Sequence, residues 1–202
     1  MPPTPADGPG VIAVRPAGRA EARTIARLTD MAGEGLPSHL WSQMAGPGED
    51  ALSVGAARAA RCAGVFSGKN ARMATWHGAA VGVVIDYGLE AVDRPGPDVP
   101  SLLRPLCDLE VLAGGTHYVN VLAVCPEARR RGVARALIAD AAARAGRDLT
   151  LTVASGNDGA RALYAACGFA EAAQRPMGRG GPPGLSGTWI LLRRPAGTGD
   201  RL

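Results

Sequence analysis

The run Val124-Cys125-Pro126-Glu127-Ala128-Arg129-Arg130-Arg131-Gly132-Val133-Ala134 joins a strongly apolar segment to an alanine-rich one. A strand followed by a helix at this point would leave several backbone N–H groups unpaired at the positive end of the helix dipole, which makes an anion site. Gly132 lets an anion approach the backbone closely, Ala134 keeps the first helical turn uncluttered, and Arg129, Arg130 and Arg131 add guanidinium charge. An isolated arginine run is more often a solvated helix start; the surrounding strand–Pro–Gly–helix order favours the anion. The run has neither the G-K-[ST] of a Walker loop nor the glycines of a G-x-G-x-x-G dinucleotide fingerprint. Asn157, further on, suits a helix N-cap, and Tyr164 suits core packing.

The elements that must hold these residues follow from hydrophobic periodicity. Residues 11–15 read as a strand, then Ile25, Leu28 and Ala32 recur at helical spacing. Gly33-Glu34-Gly35-Leu36-Pro37 breaks that helix and opens a second, with Leu40, Trp41 and Met44 on it, and a third is expected over 50–61. Segments 71–76 and 79–87, split by His77-Gly78, form an antiparallel hairpin. A proline-studded loop over 94–100 leads into 102–112, a short segment broken by Pro105. Residues 117–124 form an apolar strand, 132–145 a helix with Asp140 and Arg144 as an outward i,i+4 pair, and 149–153 the next strand. A helix over 158–167 ends at Gly168, Phe169 starts another strand, and 188–194 is the last, after a Gly/Pro loop. The order reads as α+β with a mixed sheet. Residues 1–10 and 195–202 are expected to be tails around one domain over 11–194.

Composition narrows the function. The 202 residues carry 22 Lys+Arg against 18 Asp+Glu, a net +4 that is too mild to imply nucleic acid, and no stretch interleaves basic with aromatic residues. No apolar run reaches the roughly 18–20 residues of a membrane span, and the start lacks signal-peptide character, so a cytoplasmic protein without membrane contact is expected. Four scattered cysteines and three isolated histidines suggest neither disulfides nor a metal site. No carboxylate sits where a magnesium-dependent phosphotransferase would need one.

Pro126, Arg129, Gly132 and Ala134 after an apolar strand match P-x-x-R-x-x-G-x-[GA], and Asn157 with A-x-x-L-Y-x-x-C-G-F from Ala160 to Phe169 matches a second motif in the expected order. Together they resemble the GNAT N-acetyltransferases. The resemblance implies a mostly antiparallel mixed sheet flanked by helices, with a splayed central strand pair. It implies acetyl-CoA as co-substrate, its pyrophosphate on the N–H groups of about residues 129–134, including Val133, and its pantetheine arm along Leu122, Ala123 and Val124. Asn157 and Tyr164 would also touch it. The reaction implied is direct attack of a primary amine in a ternary complex, with Tyr164 as the acid. Asn120 stands where many members carry a glutamate base, so the base falls to Glu110, Asp108, Glu34 or a water held by Asn120. Tyr164, Glu110 and Asn120 are the catalytic candidates. The acceptor pocket is expected from 33–48 and 86–115, whose acidic residues, Asp86 among them, favour a cationic amine. Homodimers are frequent in the family. The rival reading is a non-catalytic acyl-CoA sensor or partner-binding module on the same fold.

Overall fold

The structure, a computed structural model, describes residues 11–198; the tail expected over 1–10 and the end of the C-terminal one lie outside the described residues. In chain order the elements are β1 (Ile12–Pro16), α1 (Ala22–Ala32), α2 (Leu36–Ser42), α3 (Ala51–Ala59), β2 (Ala71–Trp76), β3 (Ala79–Leu89), α4 (Arg104–Leu112), β4 (Thr116–Val124), α5 (Val133–Ala145), β5 (Leu149–Ala154), α6 (Asp158–Ala166), β6 (Ala170–Pro176) and β7 (Thr188–Arg194). Local chemistry explains several boundaries. The turn between α1 and α2 runs through Glu34 and Gly35, both left-handed at φ 53° and 83°. Asp50 caps α3 by accepting the Ser53 N–H at 2.7 Å. Pro105 does not break its segment, as the sequence suggested, but sits in the first turn of α4, where a missing N–H has no helical partner to lose. Met44 lies beyond the end of α2 and is 54% exposed, while Trp41 is core.

The seven strands form one sheet in the order β1-β2-β3-β4-β5-β7-β6. Every neighbouring pair is antiparallel except β4 and β5, which run parallel and pair only at His117–Leu149 and Tyr118–Thr150. Beyond that point the two strands part, and a fork opens in the sheet. Its closed end is stitched by a Thr116–Thr150 hydroxyl bond of 2.6 Å and by Tyr118, whose hydroxyl donates to Thr152 Oγ1 at 3.1 Å. In the β3–β4 register Ile85 faces Val121 and Asp86 faces Val119, so Asn120 is the extra residue of a β-bulge.

Apolar faces cover both sides of the sheet. Val133, Leu137 and Ile138 of α5, with Tyr164 of α6, pack on Val84, Val119 and Leu151. Ile25 and Leu28 of α1 pack on Met73, Val83, Ile85 and Val121. Leu36 of α2 and Leu109 of α4 join Tyr118, Trp189 and Leu191. Asp140 and Arg144 are not the simple outward pair expected. Arg144 also reaches Asp86 Oδ2 at 2.6 Å, Asp140 meets Arg72 at 2.6 Å, and His117 Nε2 lies 3.4 Å from the Asp86 oxygen. Asp86 is therefore a strand residue with a side chain 1% exposed, not part of an acceptor loop, because β3 runs past it to Leu89. No helix among the described residues is long and apolar enough to cross a membrane.

Candidate active site

The fork between β4 and β5 opens into a cleft of about 1010 Å³, walled by the α1–α2 turn, α4, the start of α5 and α6. Leu122, Ala123 and Val124 line it from the strand, as do Arg129, Arg130, Gly132, Val133 and Ala134 from the turn and first helical residues. Asn120, Glu110, Asn157 and Tyr164 line it as well. Arg131 is the exception among the expected site residues. Its guanidinium stacks over Trp76, 4.4 Å from the ring centroid, leaving only its backbone for the cleft.

The turn before α5 has the features of an anion cradle. Arg129 donates its N–H to Pro126, but among the described residues no protein acceptor receives the backbone N–H groups of Arg130 through Arg135. The cradle thus starts one residue later than the sequence suggested. Arg130 and Gly132 both adopt positive φ, 62° and 87°, which folds the chain into a concave turn at the helix end. An arginine in this region is strained by about 1 kcal/mol or more, strain of a kind that collects at binding sites. The Arg129 side chain folds back, donating from Nε to the Val124 carbonyl at 3.3 Å and from Nη2 to Met31 Sδ at 3.4 Å.

Two acidic side chains, Tyr164 and Glu110, line the cleft with no hydrogen-bond or ion-pair partner among the described residues. Tyr164 is 7% exposed and its ring meets Phe169 edge-on at 5.7 Å, while its hydroxyl has no hydrogen bond among the described residues. Burial pushes its phenol well above the usual range, so it keeps its proton at neutral pH. Glu110 lines the cleft from α4, and no hydrogen bond or ion pair reaches its carboxylate among the described residues. Burial alone pushes it upward. Asp108, one of the alternatives for the base, does not line the cleft. Glu34 does, but it accepts from Asn157 Nδ2 at 2.9 Å. Asn157 also caps α6 through the Ala160 N–H at 3.1 Å, so its cap role is real and its amide crosses to the α1–α2 turn. Among the described residues no three His, Cys, Asp or Glu side chains are grouped to hold a metal.

The model of the acetyltransferase (GNAT) family matches residues 53–169 of this sequence, more than half of it. The chain belongs to the GNAT acetyltransferase family. No curated protein matches the sequence closely enough to carry an argument. Solved structures confirm the GNAT fold over nearly the whole chain. An acetyltransferase structure is 15% identical with a TM-score of 0.61, covering 91% of this chain and 99% of that one. An N-acetyltransferase from Staphylococcus aureus Mu50 is 14% identical with a TM-score of 0.60, covering 90% and 99%. A GNAT superfamily phosphinothricin acetyltransferase from Sinorhizobium meliloti, in complex with AcCoA, is 18% identical with a TM-score of 0.59, covering 95% and 91%.

Sequence reasoning missed several residues of this GNAT cleft. Arg135, in the first turn of α5, lines it beside Arg129 and Arg130; its place one turn after Arg131 was the available signal. Leu103, at the N-cap of α4, and Leu106 share a face with Glu110, which the sequence did single out, at i, i+3, i+7, and Leu36 and Leu40 share one face of α2 at i, i+4. Their periodicity is visible in the sequence, but which face looks into a cleft is not. Thr152 and Trp189 enter only because β5 and β7 are neighbours in the sheet.

Proposed function

We propose that the protein, through its domain over residues 11–194, transfers the acetyl group of acetyl-CoA to a primary amine by direct attack in a ternary complex. One observation carries the reading: a single cleft holds an unpaired N–H cradle at a helix start, an unpartnered carboxylate and a protonated phenol. The fold shared with an acetyltransferase in complex with AcCoA supports acetyl-CoA as the donor.

The residues present fit that donor. The N–H groups of Arg130 to Arg135 suit a pyrophosphate, and the arginines around them neutralise it. Past Tyr118 the edge of β4 has no β5 partner, so Leu122–Val124 offer backbone groups to an amide-bearing arm. Acetyl-CoA supplies an acyl group on a thioester, which an uncharged amine attacks directly. Glu110 takes a proton from the bound ammonium and so frees its lone pair; the nitrogen gives up a second proton as the amide forms. Tyr164 keeps its proton at neutral pH and donates it where a thiolate leaves, so that one proton is released overall. Asn120, aimed into the cleft by the bulge, holds water or the amine through its amide.

The test follows free thiol with acetyl-CoA and a panel of primary amines. Thiol release that depends on the amine, with Glu110→Gln reduced about 100-fold or more, is the expected result. Tight acetyl-CoA binding without turnover by any amine would favour the sensor instead.

A further inference from the structure

Glu110 is an unusual neighbour for the side chains around it. On the cleft face of α4 it follows Leu103 and Leu106, and Leu36 and Leu40 of α2 and Trp189 of β7 line the same cleft. These five belong to one apolar cluster, with Leu36 and Trp189 buried and the other three partly so. Among the described residues no hydrogen bond or ion pair reaches the Glu110 carboxylate, and burial pushes it upward. The arginines at the α5 end of the cleft belong to the N–H cradle. Glu34, the other carboxylate of the cleft, already accepts from Asn157.

An unpaired carboxylate in an apolar wall is stable only when its partner arrives with the ligand. That partner must carry a positive charge, and the body behind the charge must be apolar to fill the space between Leu36, Leu40, Leu106 and Trp189. The guanidiniums that line the cleft are the cradle arginines at the α5 end and Arg58 of α3, and none comes from α2, α4 or β7, so a ligand carboxylate held between those three elements would have no guanidinium to receive it. A second ammonium would be buried against leucines. We propose that the acceptor is a monocationic primary amine on an uncharged aliphatic or aromatic body, with its ammonium on Glu110 and its body among the leucines of α2 and α4. Zwitterionic amino acids and polyamines are thereby disfavoured. The inference rests on the acetyl-transfer reading and narrows its substrate.

Matched pairs of amines test it. With acetyl-CoA saturating, 2-phenylethylamine is compared with phenylalanine, 3-methylbutylamine with leucine, and pentylamine with 1,5-diaminopentane. The first member of each pair should have the higher kcat/KM by about tenfold or more. Leu106→Asp, which adds a second carboxylate one turn from Glu110, should shift the pentylamine-to-diamine ratio towards the diamine by about tenfold. Turnover that prefers the amino acids or the diamine in the wild-type protein overturns this inference and leaves acetyl transfer standing. No turnover with any amine, in protein that binds acetyl-CoA, overturns the catalytic reading and this one with it. Calorimetry of 2-phenylethylamine with coenzyme A-saturated protein reads the chamber without chemistry. Binding weakened at least about fivefold by Glu110→Gln supports the placement, and unchanged binding overturns it.

Discussion

The burial that suits Glu110 to the proposed role of base also makes it destabilise the fold. Burial raises its pKa above the unfolded value, so its favourable contribution is complete below the unfolded pKa and is lost as pH rises through the folded one. At pH 8 the wild-type protein therefore keeps a poorly solvated charge. Glu110→Gln should raise Tm at pH 8 by roughly 2–4 °C, the scale of 1 kcal/mol in a chain of this size, and the gap should close near pH 4. The same variant should lower kcat/KM for amines, whose wild-type value should climb with pH as Glu110 ionises. Equal Tm values at both pH values would remove the buried charge from the account. Tyr164→Phe keeps the ring that packs on Phe169 and loses the hydroxyl. Its expected signature is kcat lower by about 10- to 100-fold with little change in the acetyl-CoA KM.

The cradle is a property of the β4–α5 junction rather than of any one side chain. Gly132 at φ 87° has room for a Cβ, the nearest atom being Ile12 Cδ1 at 3.8 Å, but an L-residue there is strained. Gly132→Asp adds a carboxylate that satisfies the helix N–H groups itself and repels a diphosphate. Acetyl-CoA affinity by calorimetry should fall at least about tenfold. Unchanged affinity would mean that the diphosphate lies elsewhere. The wall formed by α2 and α3 depends on a different glycine. A Cβ on Gly55 would run into the buried indole of Trp41. A helical Gly→Ala change ordinarily gains about 1 kcal/mol, but overpacking costs about 1–3 kcal/mol and decides the sign here. Gly55→Ala should be destabilised in urea denaturation.

Across the whole molecule, the fork needs a closed end as much as an open one. Asp86 joins β3 to His117 at the start of β4 and to Arg144 at the end of α5, within a few residues of the last β4–β5 pair. Burial raises the Asp86 carboxyl, but His117 and Arg144 outweigh it and hold the group below its usual value. Its stabilisation is present above the unfolded carboxylate pKa and is lost as pH falls through the folded value. Asp86→Asn should therefore cost roughly 3 kcal/mol in urea denaturation at pH 7 and much less in strong acid. A small loss at neutral pH would mean that the parallel pair is held by its threonines alone.

The sequence alone determined what is local. The Pro126–Ala134 turn, Asn157 as a cap, Gly168 after α6 and the alternation of the strands depend on neighbours a few residues away, so spacing reveals them. Pro105 and Met44 were misjudged because a helix start and end turn on one or two residues. Tertiary structure alone decided the rest. Glu110, already a candidate from the sequence, lines the cleft while Asp108 does not, because α4 turns the face of Glu110 and Leu106 towards the fork. Arg131 left the cleft because the β2–β3 hairpin brings Trp76 beside it. Asp86 became a core ion-pair member because β3 carries it under Arg144, 58 residues away in sequence. Burial and charge pairing depend on which distant segments meet, and a one-dimensional pattern does not record that.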